Sequence, residues 1–174
     1  MIYTSLVKKA MQIAEKAHRN QYDKGGYPYI FHPYAVAEIV AKADCFKLLN
    51  SSVQENLICT AFLHDVLEDG GANAFYEYHL DQFPVVVKDA LWLLTKDPID
   101  SYQDYINTLT GFGETEITEA HRIACLVKQA DLLHNLDESR IDNEQNEKNE
   151  ARRKRYFQAL FQVMGALGYY SDKS

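Results

Sequence analysis

No apolar run in the sequence approaches the roughly 20 residues that a bilayer-crossing helix needs. The N-terminal stretch MIYTSLVKKAMQIAEKAHRN places its lysines inside an amphipathic pattern instead of ahead of an apolar signal core. A membrane partner is therefore not expected, and the cytoplasm is the expected location. Cysteine is scarce: Cys45, Cys59 and Cys125 are odd in number, far apart and set among apolar neighbours, with no CxxC pair. That excludes a thiolate zinc site and a disulfide framework, and leaves thiols that behave as small hydrophobes. Positive charge is in deficit, with 18 Lys and Arg against 25 Asp and Glu and a net charge of −7. Such a balance speaks against a nucleic-acid partner. It leaves room for a small phosphorylated ligand, because a bound divalent cation reverses the local field. Alternating β patterns with hairpin turns are missing too, and so are internal repeats and linkers.

What remains is helical periodicity. With 47% hydrophobic and 25% charged residues, the chain reads as an all-α bundle of about 7–9 helices in one domain, residues 1–174. Leu6, Met11, Ile13, Ala14 and Ala17 form a first stripe, followed by the polar loop QYDKGGYP. Pro33 suits the first position of the helix PYAVAEIVAKA. Ser51 or Ser52 is placed to cap a continuous helix through QENLICTAFLHDVLED that stops at Gly70-Gly71. A short helix near AFYEYHL, a helix VVVKDALWLLT opened by Pro84, and one over 101–110 follow. Thr118 precedes a long helix over 119–139. A last helix, about 147–168, packs through Tyr156, Leu160, Val163, Met164 and Leu167. Trp92 is expected in the core, and Arg152, Arg153, Lys154 and Arg155 on a solvated helix face.

Three polar intrusions break these apolar patterns. His64-Asp65 lies within ICTAFLHDVLEDG, flanked by Leu57, Ile58, Ala61, Phe62 and Val66, so its polar groups need partners. Asp65, Glu68 and Asp69 stand at i, i+3 and i+4, so one helix face carries three carboxylates whose mutual repulsion a cation would relieve. Asp131 adjoins the apolar face of ACLVKQADLLHNL, where it could equally pair with Lys128. His32 sits beside aromatics in YIFHPYAV, where a hydrogen-bonded core histidine is the plainer reading. Taken together, two imidazoles and two carboxylates from separate helical segments make a mixed N/O donor set suited to Mn, Fe, Co or Zn. Such a metal lowers the pKa of bound water, and Glu68 or Asp69 could orient that water or carry its proton.

In order and type, His32, His64-Asp65 and Asp131 resemble the H…HD…D pattern of the HD superfamily of metal-dependent phosphohydrolases. The segments AHRNQYDKGGYPYIFHPYAVAEIV, AFLHDVLEDG, LTK and VKQADLLHNL resemble more closely the hydrolase domain of the RelA/SpoT family, over about residues 10–140. That family includes small stand-alone enzymes that remove the 3′-pyrophosphate of guanosine tetra- and pentaphosphate (ppGpp and pppGpp), typically with Mn²⁺. The resemblance implies an HD-type helical fold and a single divalent cation held by His32, His64, Asp65 and Asp131, with Mn²⁺ ahead of Fe, Co, Zn or Mg. It also implies a catalytic pair, Glu68 and Asp69, and substrate contacts from Lys24 and Asn135; Tyr29, beside the basic loop, would border the pocket. Where the family usually has Arg-Lys, this chain reads Asp23-Lys24, which removes an arginine that could stack on a base or pair with phosphate. Three readings follow: hydrolysis of the 3′-pyrophosphate of a guanosine polyphosphate, a nucleotide phosphatase or phosphodiesterase of the wider HD group, and a nucleotide-binding regulatory module without turnover.

Overall fold

The computed structural model describes residues 1–71, 73–137 and 147–169. Among them are nine α-helices, two short 3₁₀ segments and no strands beyond one isolated bridge, Tyr22 to Pro28. The helices are α1 (Ser5–Ala17), α2 (Phe31–Lys42), α3 (Ser51–Leu63), α4 (Val66–Gly70), α5 (Ala74–Glu77), α6 (Val85–Leu94), α7 (Tyr102–Thr110), α8 (Glu119–Asn135) and α9 (Glu147–Ala166). No helix among the described residues is long and apolar enough to cross a membrane.

The centre of the bundle is α3. Every residue from Asn56 to Leu63 is buried, and this helix packs against α1, α2, α6 and α8. Its near-continuous apolar character, LICTAFL, is what a helix surrounded by others requires. The second core helix, α8, packs on α2, α6, α7 and α9. The two central helices thus bring His64, at the end of α3, and Asp131, in the last turn but one of α8, into the interior.

Local chemistry shifts several expected boundaries. Helix α2 begins at Phe31 instead of Pro33, because two tight turns (Phe31 N to Pro28 O, 3.1 Å; His32 N to Tyr29 O, 2.8 Å) wind the chain beforehand. Pro33 still falls in the first turn, where its missing N–H has no helical partner to lose. His32 therefore sits within the helix and does not precede it. Asn50, and neither serine, caps α3 by accepting from Val53 N at 3.0 Å. The expected continuous helix over 54–69 is broken at His64-Asp65 into α3 and α4. There the His64 ring donates Nδ1–H to Ala61 O at 2.9 Å, taking the carbonyl that the Asp65 N–H would use in a continuing helix. Gly71 ends α4 at φ +67°, a conformation that favours glycine.

Trp92 is not in the core: it is 48% exposed and stacks on Phe75 with ring centroids 5.8 Å apart. Cys59 and Cys125 are buried and free, and burial pushes both thiols up to about 12, so they are inert near neutral pH. Helix α8 ends at Asn135 instead of running on to Ser139: Leu136 caps it, its N–H directed at Leu132 O and His134 O. The expected loop over 141–146 lies outside the described residues.

Candidate metal centre and adjoining cavity

Four side chains from three places in the fold meet at one point. His32 comes from the first turn of α2, His64 and Asp65 from the α3–α4 break, and Asp131 from α8. Nε2 of His32 lies 3.2 Å from Nε2 of His64 and 3.2 Å from Oδ1 of Asp131. Oδ2 of Asp65 is 3.0 Å from His64 Nε2 and 3.5 Å from His32 Nε2. His32, His64 and Asp131 offer donor atoms all within 4.8 Å of one another, and Asp65 joins them through both imidazoles.

The hydrogen bonds around the four groups decide what the centre fits. The His64 Nδ1–H is committed to a carbonyl, which can only accept. Nε2, the nitrogen left over, points at a carboxylate oxygen and at another imidazole. Two imidazole nitrogens and two carboxylates converging at these distances are a donor set that a cation can take up once the imidazoles are neutral. The spacings suit one. With bonds of about 2.1 Å, neighbouring ligand atoms lie about 3.0 Å apart around an octahedral ion and about 3.4 Å apart around a tetrahedral one.

Each of the four also has an outer partner that holds its orientation. His32 Nδ1 lies 2.7 Å from His134 Nδ1. Tyr29 OH donates to Asp65 Oδ2 at 2.6 Å. Asp131 accepts from Lys128 Nζ on Oδ2 at 2.8 Å and from Asn135 Nδ2 on Oδ1. Burial alone would lower the His32 pKa, but hydrogen bonds to Asp131 and Asp65 outweigh it and raise the pKa to about 9. Burial would raise Asp65 and Asp131, yet their partners hold both well below the usual carboxylate range: the His64 and His32 rings for Asp65, Lys128 and the His32 ring for Asp131.

Glu68 and Asp69 occupy α4, shortly after His64-Asp65, and both are exposed. Partial burial and the neighbouring Asp65 charge raise the Glu68 carboxyl above its ordinary value, as suits a proton-transfer group. Behind Asp69 stands a residue that the sequence reading missed. His18, 2% exposed, has Nδ1 2.7 Å from Gln21 Oε1 and 3.4 Å from Asp69 Oδ2, and its ring packs 5.0 Å from that of Tyr29. The available signal was a histidine on the buried side of the first stripe.

A cavity of about 240 Å³ opens beside His32, lined by Lys24, Tyr29, Asn135, Arg152 and Tyr156 among others. The expected contacts Lys24, Asn135 and Tyr29 are thus gathered in one place. Arg152 corrects the expectation of a wholly solvated basic face, since α9 turns this one arginine and Tyr156 into the cavity. Asp23 also lines it, with a local reason to be there: its Oδ1 accepts from Gly25 N and Tyr27 N, each at 2.9 Å, fixing a loop that Gly26 completes at φ +79°. A larger groove of about 740 Å³ between α6, α7 and the start of α8 contains none of the four centre residues.

No family model matches the chain. Individual relatives do. It is 30% identical over 158 residues to a GTP pyrophosphokinase of Streptomyces antibioticus, covering 84% of this chain and 16% of that protein. It is 32% identical over 130 residues to the guanosine-3′,5′-bis(diphosphate) 3′-pyrophosphohydrolase of Borreliella burgdorferi, covering 74% and 18%. The chain is a relative of the RelA/SpoT enzymes. It spans about a sixth of the length of these curated relatives. A solved structure, reported as that of a metazoan ortholog of SpoT that hydrolyzes ppGpp, superposes on this RelA/SpoT relative with a TM-score of 0.67 at 23% identity, covering 96% of this chain and 88% of that one. That likeness establishes the fold, an all-α bundle shared with that structure.

Proposed function

We propose that this chain is a metal-dependent phosphohydrolase acting on a phosphorylated nucleotide, with the 3′-pyrophosphate of a guanosine bis(diphosphate) as its leading substrate. The observation that carries this reading is the convergence of His32, His64, Asp65 and Asp131 beside Glu68-Asp69 and a cavity holding Lys24 and Arg152. One divalent cation, Mn²⁺ first among the candidates, would be held by those four side chains; when bound it supplies Lewis acidity and a water that ionises near neutral pH.

The chain's own residues account for the rest. Lys24 and Arg152 give the cavity the positive charge that a polyphosphate needs, in an otherwise acidic protein. Asn135 stands at the junction of cavity and centre, its amide donated to Asp131. Tyr29 and Tyr156 offer ring faces to a planar base or sugar. Glu68, with its raised carboxyl, accepts a proton from the attacking water, and Asp69, backed by His18, shares that role. Asp23 favours a second reading, a nucleotide with fewer phosphates, because its carboxylate replaces a cation at the cavity edge.

The deciding assay incubates purified protein and Mn²⁺ with guanosine 3′,5′-bis(diphosphate) and with a panel of 3′- and 5′-phosphorylated nucleotides. Release of pyrophosphate from the former is expected. Orthophosphate from simpler nucleotides alone would move the substrate to the wider HD group, and tight nucleotide binding without turnover under any divalent metal would leave only a regulatory module. Arg152→Ala should raise KM by about tenfold with a smaller change in kcat, as loss of one charge-assisted phosphate contact does. An unchanged KM would remove α9 from the substrate site.

Cation binding should also release a proton. His32 titrates near 9 in the metal-free protein, so it is protonated at pH 7.5, whereas a ligating imidazole must be neutral. Calorimetric titrations with Mn²⁺ at pH 7.5, in buffers of different ionisation enthalpy, should show close to one proton released. The number should fall as the pH is raised through about 9. Release that is absent at pH 7.5 would mean that the ion does not displace the His32 proton.

A further inference from the structure

Lys128, the outer partner of Asp131, stands in an unusual position. A lysine buried in a helix interface is rare unless paired, and this one, with a side chain 14% exposed, puts Nζ 2.8 Å from Oδ2 of Asp131. The same ammonium lies 5.3 Å from the centroid of the Tyr105 ring. Tyr105 is itself fixed, donating its hydroxyl to Leu94 O at 2.9 Å. The cation is thus held from below by an aromatic face and aimed at one carboxylate oxygen. The other oxygen, Oδ1, is the one turned toward His32 Nε2 at 3.2 Å and touched by Asn135.

We infer that Lys128 is a positioning residue: by holding Oδ2 of Asp131 from the Tyr105 ring, it fixes the carboxylate with Oδ1, the oxygen turned toward His32 Nε2, facing the metal centre and Oδ2 turned away from it. This rests on the hydrolase reading of the site and refines it. A carboxylate has two donor oxygens and binds hard cations through one or both. Tying up one of them restricts the residue to a single position around the ion and keeps another open for water or substrate. It also balances part of the negative charge of the two aspartates, so the fold tolerates them close together before an ion arrives.

The test counts inner-sphere water on bound Mn²⁺ by water-proton relaxation, a readout that needs no substrate, alongside Mn²⁺ affinity and turnover in the full chain. In Lys128→Met, Asp131 is freed to chelate through both oxygens. The exchangeable waters on bound Mn²⁺ should drop by about one, kcat should fall at least about tenfold, and Mn²⁺ affinity should stay within about threefold of wild type or tighten. Lys128→Arg keeps a cation at Oδ2 and should retain the wild-type water count, which also serves if the methionine variant folds poorly. An unchanged water count in Lys128→Met overturns the inference. So does a loss of Mn²⁺ affinity beyond tenfold in both variants, the result expected of a residue that merely supports the fold. Failure of the wild-type protein to bind Mn²⁺ would sink the metal centre first and this role with it, whereas wild-type Mn²⁺ binding with altered variants but no nucleotide turnover would spare Lys128 and count against the hydrolase reading.

Discussion

His64→Ala should reduce nucleotide hydrolysis to background, a loss of at least about 10³-fold in kcat/KM, or roughly 4 kcal/mol of transition-state stabilisation. The size follows from where the ring sits. His64 is 2% exposed at the end of the most buried helix, its Nδ1 locked to Ala61 O and its Nε2 aimed at the meeting point of the other three groups. His32 and Asp65, its nearest partners, are already committed to the same meeting point. Mn²⁺ affinity should fall together with activity, since the two depend on the same lone pair. Direct metal titration against steady-state rates checks this. Full activity in the alanine variant would place the chemistry elsewhere in the molecule. Stability of the metal-free variant should not collapse, as removing the ring also removes one member of a crowded polar cluster.

Glu68→Gln should behave differently. Glu68 lies outside the four-atom cluster, so Mn²⁺ should bind the glutamine variant within about threefold of wild type. Turnover should nevertheless fall by about 10²–10⁴-fold, the contribution typical of a positioned general base. The amide keeps the size of the side chain and loses only its ability to accept a proton. The raised Glu68 carboxyl sets the direction of the wild-type pH profile: a base must be ionised, so the acid limb of kcat/KM should lie above the range of an ordinary glutamate and vanish in Glu68→Gln. Asp69→Asn provides the comparison. A drop of similar size there, with Mn²⁺ binding retained, would mean that the two carboxylates work as a unit. Undiminished turnover in both variants would contradict the role given to the pair.

The four centre residues were legible in the sequence because each violates an apolar pattern, and a buried polar group needs a reason to be there. His64-Asp65 is the clearest case, two polar residues closing the run LICTAFL. The helices were legible for the same reason, periodicity being a direct record of which face is buried. What periodicity does not record is the competition of side chains for backbone groups. The break at His64 arises from a ring taking a helical carbonyl, and the early start of α2 from two turns that no residue pattern announces. Long-range placement was hidden as well. Arg152 reads as one of four basic residues on a polar helix, and only the packing of α9 on α7 and α8 selects it for the cavity. Trp92 has the composition of a core residue, but it stands on the outer face of α6. His18 and Lys128 are ordinary in sequence and become informative once Asp69 and Asp131 are seen beside them. Asp23, a cation lost by comparison with the family pattern, has a second function as the acceptor that shapes its own loop.

Crystals of the protein soaked in Mn²⁺, with diffraction recorded at the manganese edge, test the central claim most directly. A single strong anomalous peak is expected within about 2–2.5 Å of His32 Nε2, His64 Nε2, an Asp65 oxygen and Asp131 Oδ1. A peak lying elsewhere, or none at this point in crystals that still turn over substrate, would contradict it.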